Sequence, residues 1–231
     1  FLRPHFGTLD GTFSNIAVAV TEDGSLIIFS KHISLERLFS KESEVLLKPI
    51  KQRKSDKPIF FFQCKSSGRI KITLRNVALH YYAKWLDLFK SPKKDGTQRP
   101  GEIEESTFSS HSWEFKLVDS SIFLIPYRLN AALVVVIDRF TMCGKAPVFQ
   151  SKGLLNNGTL LLIDDFSTVK QQENKERPSL VSYYAHQGFS AVGKLEATSL
   201  NVQFCRGIVS LGIKMHSLSL ALCADSAHTM V

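Results

Sequence analysis

Alternation of apolar and polar residues runs through most of this chain, and that spacing is typical of strands with one buried face. Residues 70–75 alternate isoleucine or leucine with lysine, threonine and arginine. Residues 217–222 alternate serine or alanine with leucine. The pattern predicts an all-β protein built on a curved, twisted antiparallel sheet that is apolar on one side, with long loops and little helix.

The strands that this spacing predicts cover most of the chain, and we expect about ten of them. They are Ile16–Val20, Leu26–Phe29, Ile59–Cys64, Arg69–Tyr82, Trp113–Ile125, Ala131–Ile137, Leu180–Tyr184, Ala191–Phe204, Ile208–Met215 and Leu218–Leu222. Residues 91–111 and 167–178 are rich in polar residues and are predicted as loops.

Turn chemistry marks where these strands reverse. Glycine tolerates positive φ, so Gly24 and Gly68 each predict a tight turn between two strands. Asn157-Gly158 lies between two apolar runs and predicts a third hairpin turn. The alternation slips at Asn76, which predicts a β-bulge.

One segment has a different spacing. Leu35, Leu38, Phe39 and Leu46 fall on one face of a helix, and Ser34 stands where a helix cap is expected, so a short helix is predicted there. The whole chain, residues 1–231, reads as one β segment of a longer protein, or as two structural repeats over about 1–126 and 127–231.

The charge is strongly basic, with a formal net charge of +8 and a pI near 9.3. Neither basic cluster, at 48–57 or at 90–99, has the interleaved aromatics of a nucleic-acid site. Contact with anionic lipid headgroups at a membrane surface fits better, and a solvated loop remains the alternative. The predicted headgroup contacts are Lys48, Lys51, Arg53, Lys54 and Lys57.

Cysteine spacing and hydropathy exclude two protein classes. The four cysteines form no Cys-x-x-Cys pair, so neither a disulfide framework nor a structural zinc site is predicted. The longest apolar run, Ala131–Ile137, is far shorter than the ~20 residues of a membrane-spanning helix. We therefore expect neither a span nor a secretion signal.

Catalytic chemistry has little support in this sequence. Asp164-Asp165 could hold a metal ion, but neighbouring strand residues point to opposite faces and no third ligand is evident. Phosphate-loop, nucleophile-elbow and zinc-helix motifs are missing. We predict that the protein is not an enzyme and needs neither metal nor cofactor. A hydrolase that depends on this acidic pair remains an alternative.

A sheet that is apolar on one side must cover that side. A β-sandwich or a closed barrel would cover it with protein, whereas an open trough would leave it for an apolar ligand. Periodicity alone does not choose between them. The sandwich predicts an interaction module without lipid cargo.

Three segments resemble a known family. Residues 220–229, Leu-Ala-Leu-Cys-Ala-Asp-Ser-Ala-His-Thr, resemble the Cys-Ala-Asp-Ser segment of the autophagy-related protein 2 family, and residues 134–140 and 160–166 resemble its upstream strand endings. The resemblance covers about residues 130–231 well and 59–126 loosely.

This resemblance implies a bridge-like lipid-transfer protein built from repeating β-groove units, which carries phospholipids from the endoplasmic reticulum to the expanding autophagosomal membrane. It also implies a cytoplasmic protein that is peripheral at endoplasmic reticulum and phagophore membranes, with a lipid scramblase and a phosphoinositide-binding propeller protein as partners.

The groove hypothesis names the apolar residues of alternating strands as the lipid-binding surface, and an ordinary protein core is the alternative for each. They are Ile70, Ile72, Leu74, Val134, Val136, Leu161, Ile163, Leu200, Val202, Val209, Leu211, Ile213, Leu218, Leu220 and Leu222.

Overall fold

The computed structural model describes residues 8–39, 42–50, 57–82, 111–126, 130–146, 150–165, 179–205 and 208–221. Thirteen strands in this part of the chain join into one sheet, which confirms the all-β prediction. The strands are β1 Thr8–Val20, β2 Leu26–Phe39, β3 Glu42–Pro49, β4 Phe60–Cys64, β5 Ile70–Arg75, β6 Val77–Tyr82, β7 His111–Ile125, β8 Ala132–Ala146, β9 Gln150–Ile163, β10 Ser190–Leu195, β11 Thr198–Cys205, β12 Ile208–Met215 and β13 Leu218–Leu220.

The predicted turns at the first two glycines are confirmed. Gly24 has φ +74° between β1 and β2, and its N–H donates to the carbonyl of Thr21. Gly68 has φ +78° between β4 and β5, and its N–H donates to the carbonyl of Lys65. Both hairpins therefore depend on a backbone conformation that glycine adopts without strain.

Several short strands lie end to end, so the sheet is fewer strands wide than it has strands. From one edge to the other, its positions are β1, β2, β3 with β4, β5 with β6, β7, β8, β9, β10 with β11, and β12 with β13. At about 4.8 Å between neighbouring strands, these nine positions span roughly 40 Å.

The sheet is mixed, and the prediction of a purely antiparallel sheet is wrong at one place. Strand β7 pairs parallel with β5 through Ile70–Arg75 and parallel with β6 through Ala78–Tyr82. Parallel neighbours need a long connection, because the chain must return to the same end of the sheet. Residues 83–110, which form this connection, lie outside the described residues.

A single line of kinks crosses the sheet near the middle of its strands. Asn15, Asn76, Asp119 and Asn157 have φ between +46° and +52°, a region that asparagine and aspartate tolerate better than other side-chain-bearing residues. The ladder between β7 and β8 runs from Val118 opposite Arg139 to Ser120 opposite Ile137, and the residue between is skipped on both strands. We call this line the crease. The predicted irregularity at Asn76 is confirmed as part of it.

Two serines repair hydrogen bonds that the crease breaks. The hydroxyl of Ser120 donates to the carbonyl of Val118 at 2.7 Å and accepts from the N–H of Val77 at 3.3 Å. The hydroxyl of Ser30 donates to the carbonyl of Ser14 at 2.7 Å. Both serines are fully buried, so these bonds satisfy backbone groups that would otherwise be desolvated without a partner.

The prediction of a hairpin turn at Asn157-Gly158 is wrong. Both residues lie inside β9, which continues on either side of them. Asn157 does take the positive φ that its chemistry favours, but it uses that conformation to kink a strand rather than to reverse it.

The predicted helix around Ser34–Leu46 is also wrong, since β2 and β3 occupy that region as paired strands. The register shifts between Leu35 and Glu36, where one residue of β3 has no direct partner. A bulge breaks the alternation of apolar residues, so the spacing imitates that of a helix.

Where a strand was predicted at Leu180–Tyr184, the structure has helix α1, Leu180–Ala185. The N–H of Ser182 donates to the hydroxyl of Ser179, which caps the first turn. No helix of the described residues has the length and hydropathy to cross a membrane.

Candidate functional site

Two hydrophobic clusters define the two faces of the sheet. One cluster includes Leu74, Leu117 and Leu155, and we call its side the inner face. The other includes Val134 and Leu161, and we call its side the outer face. Directly paired residues on neighbouring strands share a face, so the register assigns a face to each strand residue.

On the inner face, paired residues form rows that cross all nine positions of the sheet. Three such rows contain no charged side chain. The first is Val18, Ile28, Phe62, Ile72, Phe115, Met142, Gly153, Leu200 and Ile213. The second is Ile16, Ser30, Phe60, Leu74, Leu117, Phe140, Leu155, Thr198 and Met215. The third, beyond the crease, is Gly11, Leu35, Leu47, Leu79, Ile122, Val135, Leu160, Gly193 and Leu220.

Burial on the inner face is deepest beside the crease. Leu74 and Val77, which flank Asn76, are buried, as are Leu117 and Leu155. Residues farther from the crease, such as Phe62, are half-buried. Each strand places two consecutive residues outward at the crease, which bends the strand toward the inner face, so that face is a trough with the crease as its floor.

The described residues place no second layer over this trough. Every member of the inner cluster lies on a strand of the same sheet, apart from Ile59, which directly precedes β4. Apolar side chains become exposed toward both edges, and Val20 and Leu211 are 73% and 59% exposed. A contiguous exposed apolar surface of this kind marks a binding site in a soluble protein.

The outer face beyond the crease is covered instead. Tyr184 of α1 and Phe189, which follows the helix, pack on Phe123 of β7 with ring centroids 5.5 and 6.1 Å away. The hydroxyls of Tyr184 and Ser121 share a hydrogen bond of 2.7 Å, and burial raises the pKa of Tyr184 above its usual range. This half of the outer face is an ordinary sealed core.

A histidine closes one side of that core. The ring of His80 stacks on Phe123 with centroids 4.6 Å apart and planes 4° apart. Burial, assisted by the positive charge of Lys48, lowers the pKa of His80 to about 4. The side chain is therefore neutral at physiological pH.

The structure does not bring the predicted lipid-binding residues onto one surface. Thirteen of the fifteen have a described side chain, and they divide between the two faces. On the inner face lie Ile70, Ile72, Leu74, Leu200, Val202, Leu211, Ile213, Leu218 and Leu220. On the outer face, packed beneath α1, lie Val134, Val136, Leu161 and Ile163.

Two of the predicted residues are not placed on either face. Leu222 lies outside the described residues, and of Val209 only the backbone is described. Whether any residue of the set touches lipid stays a prediction, but only the inner-face members border the open trough.

The other predicted sites are partly described. Lys48 and Lys57 are exposed, whereas Lys51, Arg53 and Lys54 lie outside the described residues. Asp164 and Asp165 are exposed at the end of β9. In the part of the chain that the structure describes, no group of three or more His, Cys, Asp or Glu side chains is placed to hold a metal ion.

The sequence prediction missed the aromatic residues of the inner face. Phe60, Phe115 and Phe140 belong to the inner cluster, and Trp113 lies on the same face with its indole above Gly144. A side-chain Cβ at that glycine would lie 2.5 Å from the ring, so the close approach needs glycine. Alternation of Trp113, Phe115 and Leu117 was the available signal.

Comparison with known proteins identifies similar sequences along the whole chain. A model of the family described as Autophagy-related protein 2 matches residues 2–231. The Autophagy-related protein 2 of Saccharomyces cerevisiae strain YJM789 is 32% identical over 99% of this chain, and that of Eremothecium gossypii is 28% identical over 98%. The Kluyveromyces lactis protein is 26% identical over 97%. The chain spans 15% of the length of each of these relatives.

Proposed function

Because the chain belongs to the autophagy-related protein 2 family, we propose that its inner face carries phospholipids between membranes as one segment of a rod-shaped bridge protein. The observation that carries this proposal is the set of uncharged rows that cross the sheet without a second layer over them in the described residues. The outer face shows that this chain does cover an apolar surface elsewhere, with α1.

The chemistry of the trough suits acyl chains. Each buried methylene contributes about 0.8 kcal/mol, so one chain gains several kcal/mol by leaving water. This attraction is not directional, and the three rows offer uncharged side chains at every strand position. A lipid can therefore move from one position to the next over low barriers, while its headgroup remains in water.

No chemical step is needed for such transport, and we propose that this segment acts without catalysis, metal or cofactor. Direction would follow the supply of lipid at one membrane and its consumption at the other. By the family resemblance we further propose a peripheral location at endoplasmic reticulum and phagophore membranes, with a scramblase and a phosphoinositide-binding propeller protein as partners.

Two leucines with equal exposure allow a matched test. Leu218 and Leu154 are both 44% exposed. Leu218 pairs with Leu195 of the inner cluster, whereas Leu154 neighbours Leu155 on β9 and so points to the outer face. In a vesicle assay with fluorescent phospholipid, we expect Leu218→Asp to slow transfer roughly tenfold, because a charge then interrupts the apolar path.

The control is Leu154→Asp, which introduces the same charge at the same exposure and, with vesicles of uncharged phosphatidylcholine, should transfer at the unmodified rate. Thermal unfolding of both variants checks that the fold is retained. Equal rates for the two variants would contradict the proposal. So would photoactivatable phospholipid that cross-links to the outer face as readily as to Phe62 or Ile72.

A further inference from the structure

The half of the outer face that α1 does not cover has a charge pattern that the proposed transport does not use. Between the β4–β5 turn and β12, its outward side chains away from the crease include seven basic residues and one carboxylate, whereas at the crease Arg75 and Arg139 lie with Asp119, Asp138 and Glu196. The basic residues are Lys65, Arg69, Lys71, Lys116, Lys145, Lys152 and Lys214, and we call this surface the basic face.

Register places these cations on one surface. Lys71 is opposite Glu114, Glu114 is opposite Cys143, and Cys143 is opposite Lys152, so one outward row crosses β5, β7, β8 and β9. In the next row, Lys116 and Lys214 lie on either side of Leu154, each two strands away from it. From β5 to β12 the surface is roughly 25 Å wide.

Away from the crease, Glu114 balances little of this charge. The carboxylate of Glu114 already forms ion pairs with Lys116 at 2.8 Å, Arg69 at 3.3 Å and Lys71 at 3.8 Å. These neighbours hold the pKa of Glu114 below its usual range, with the hydrogen bond from Lys116 as the largest cause. The side chains of Lys145, Lys152 and Lys214 are exposed and form no ion pair with any described residue.

The composition of the basic face indicates what it binds. Small polar side chains such as Thr141, Ser199 and Asn201 separate the lysines, and Leu154 is its one large exposed hydrophobic among the described residues. Protein interfaces are enriched in aromatic anchors and depleted in lysine, so this surface does not fit a folded partner. Anionic lipids are mobile and need only a dense positive charge.

We propose that the basic face docks on the surface of an anionic lipid bilayer. The inner face then points away from that bilayer, because the two faces lie on opposite sides of the same sheet. The proposal goes beyond transport and does not depend on it, since docking requires no lipid inside the trough.

Flotation with vesicles tests the proposal. We expect the protein to float with phosphatidylcholine vesicles that contain about 30% phosphatidylserine, and not with phosphatidylcholine alone. Binding should be lost at roughly 0.5 M salt, where the screening length falls to a few ångströms. The double variant Lys152→Gln with Lys214→Gln should bind about tenfold more weakly.

The matched control is Lys31→Gln with Lys194→Gln, which removes the same charge from exposed outer-face positions outside the basic face, since Lys31 lies on β2 at the crease and Lys194 lies on β10 beyond it. It should bind within about twofold of the unmodified protein. An equal loss in both double variants would overturn the proposal, because net charge alone would then explain binding. Tighter binding of poly-glutamate than of the anionic vesicles would overturn it as well, in favour of an acidic protein partner.

Docking and transport can fail separately. Leu218→Asp alters the inner face alone, so it should float with anionic vesicles like the unmodified protein even where transfer is slowed. If that variant loses vesicle binding, the membrane contact lies on the inner face and the proposal is wrong.

Discussion

The two apolar clusters of this sheet differ in what surrounds them. Beneath α1, Val134 and Leu161 are fully buried against Tyr184 and Phe189. On the opposite face, burial is complete only beside the crease, and it falls toward both edges until Leu211 and Val20 are mostly exposed. The same alternation of residues thus produces a sealed core in one place and an open trough in another. What distinguishes them is a six-residue helix that covers one side only.

The largest expected effect comes from a charge placed in the sealed cluster. Leu161→Asp would bury a carboxylate at a position with 0% exposure, and we expect a loss of more than about 4 kcal/mol in the free energy of unfolding. Leu218→Asp on the open face should lose less than about 1 kcal/mol, because the carboxylate can reach water. Denaturant unfolding of both variants measures the difference. Similar losses would mean that the inner face is sealed too.

A smaller effect on the free energy of unfolding should follow from pH, through His80 at the side of the sealed core. The pKa of His80 is about 4 in the folded protein, below its ordinary 6.5, so the unfolded chain binds the proton first. Stability is therefore complete above pH 6.5 and falls as the pH drops from 6.5 to 4. We expect about 2 to 3 kcal/mol to be lost over that range.

His80→Phe keeps an aromatic ring on Phe123 but cannot titrate, so it isolates this contribution. Unfolding free energies measured at several pH values should have a flatter dependence in the variant. If the two proteins have the same slope between pH 6.5 and 4, other groups cause the acid sensitivity.

The smallest effect concerns the crease, which forms the floor of the open side. Asn157 has φ +51°, where a residue with a plain Cβ is strained, so Asn157→Ala should cost about 1 kcal/mol. Asn157→Gly accepts this φ and should cost only a few tenths of a kcal/mol. Urea midpoints compare the two variants. Equal losses would indicate that the amide side chain matters more than the backbone conformation.

Sequence reasoning predicted the local features that depend on neighbouring residues. The hairpin at Gly24 and the irregularity at Asn76 follow from backbone preferences within a few positions. Sequence reasoning failed where the same local backbone preference suits both a turn and a kink within a strand. Asn157-Gly158 has the chemistry of a turn, yet β8 pairs with β9 on both sides of it, and on the opposite edge β10 and β11 pair with β9 in succession. Only the assembled sheet decides between a turn and a kink.

The same limit applies to the candidate site. The alternation placed both Ile72 and Leu161 on the apolar face of their strands. Their faces differ because the crease reverses the parity of each strand and because α1 covers only one side, and neither fact is local. The helix itself was missed because Val181, Tyr183 and Tyr184 favour strands, although the cap at Ser179 was present in the sequence.

The crease makes residue count more important than residue identity along each strand. Deleting Asn157 would restore strict alternation through β9, and Leu161 would then exchange sides with Leu160 and Leu162. Many apolar substitutions would be tolerated, whereas the loss or gain of one residue would move every side chain in half of a strand to the opposite face of the sheet. Selection on such a segment should therefore act more strongly against insertions and deletions than against substitutions of one apolar residue by another.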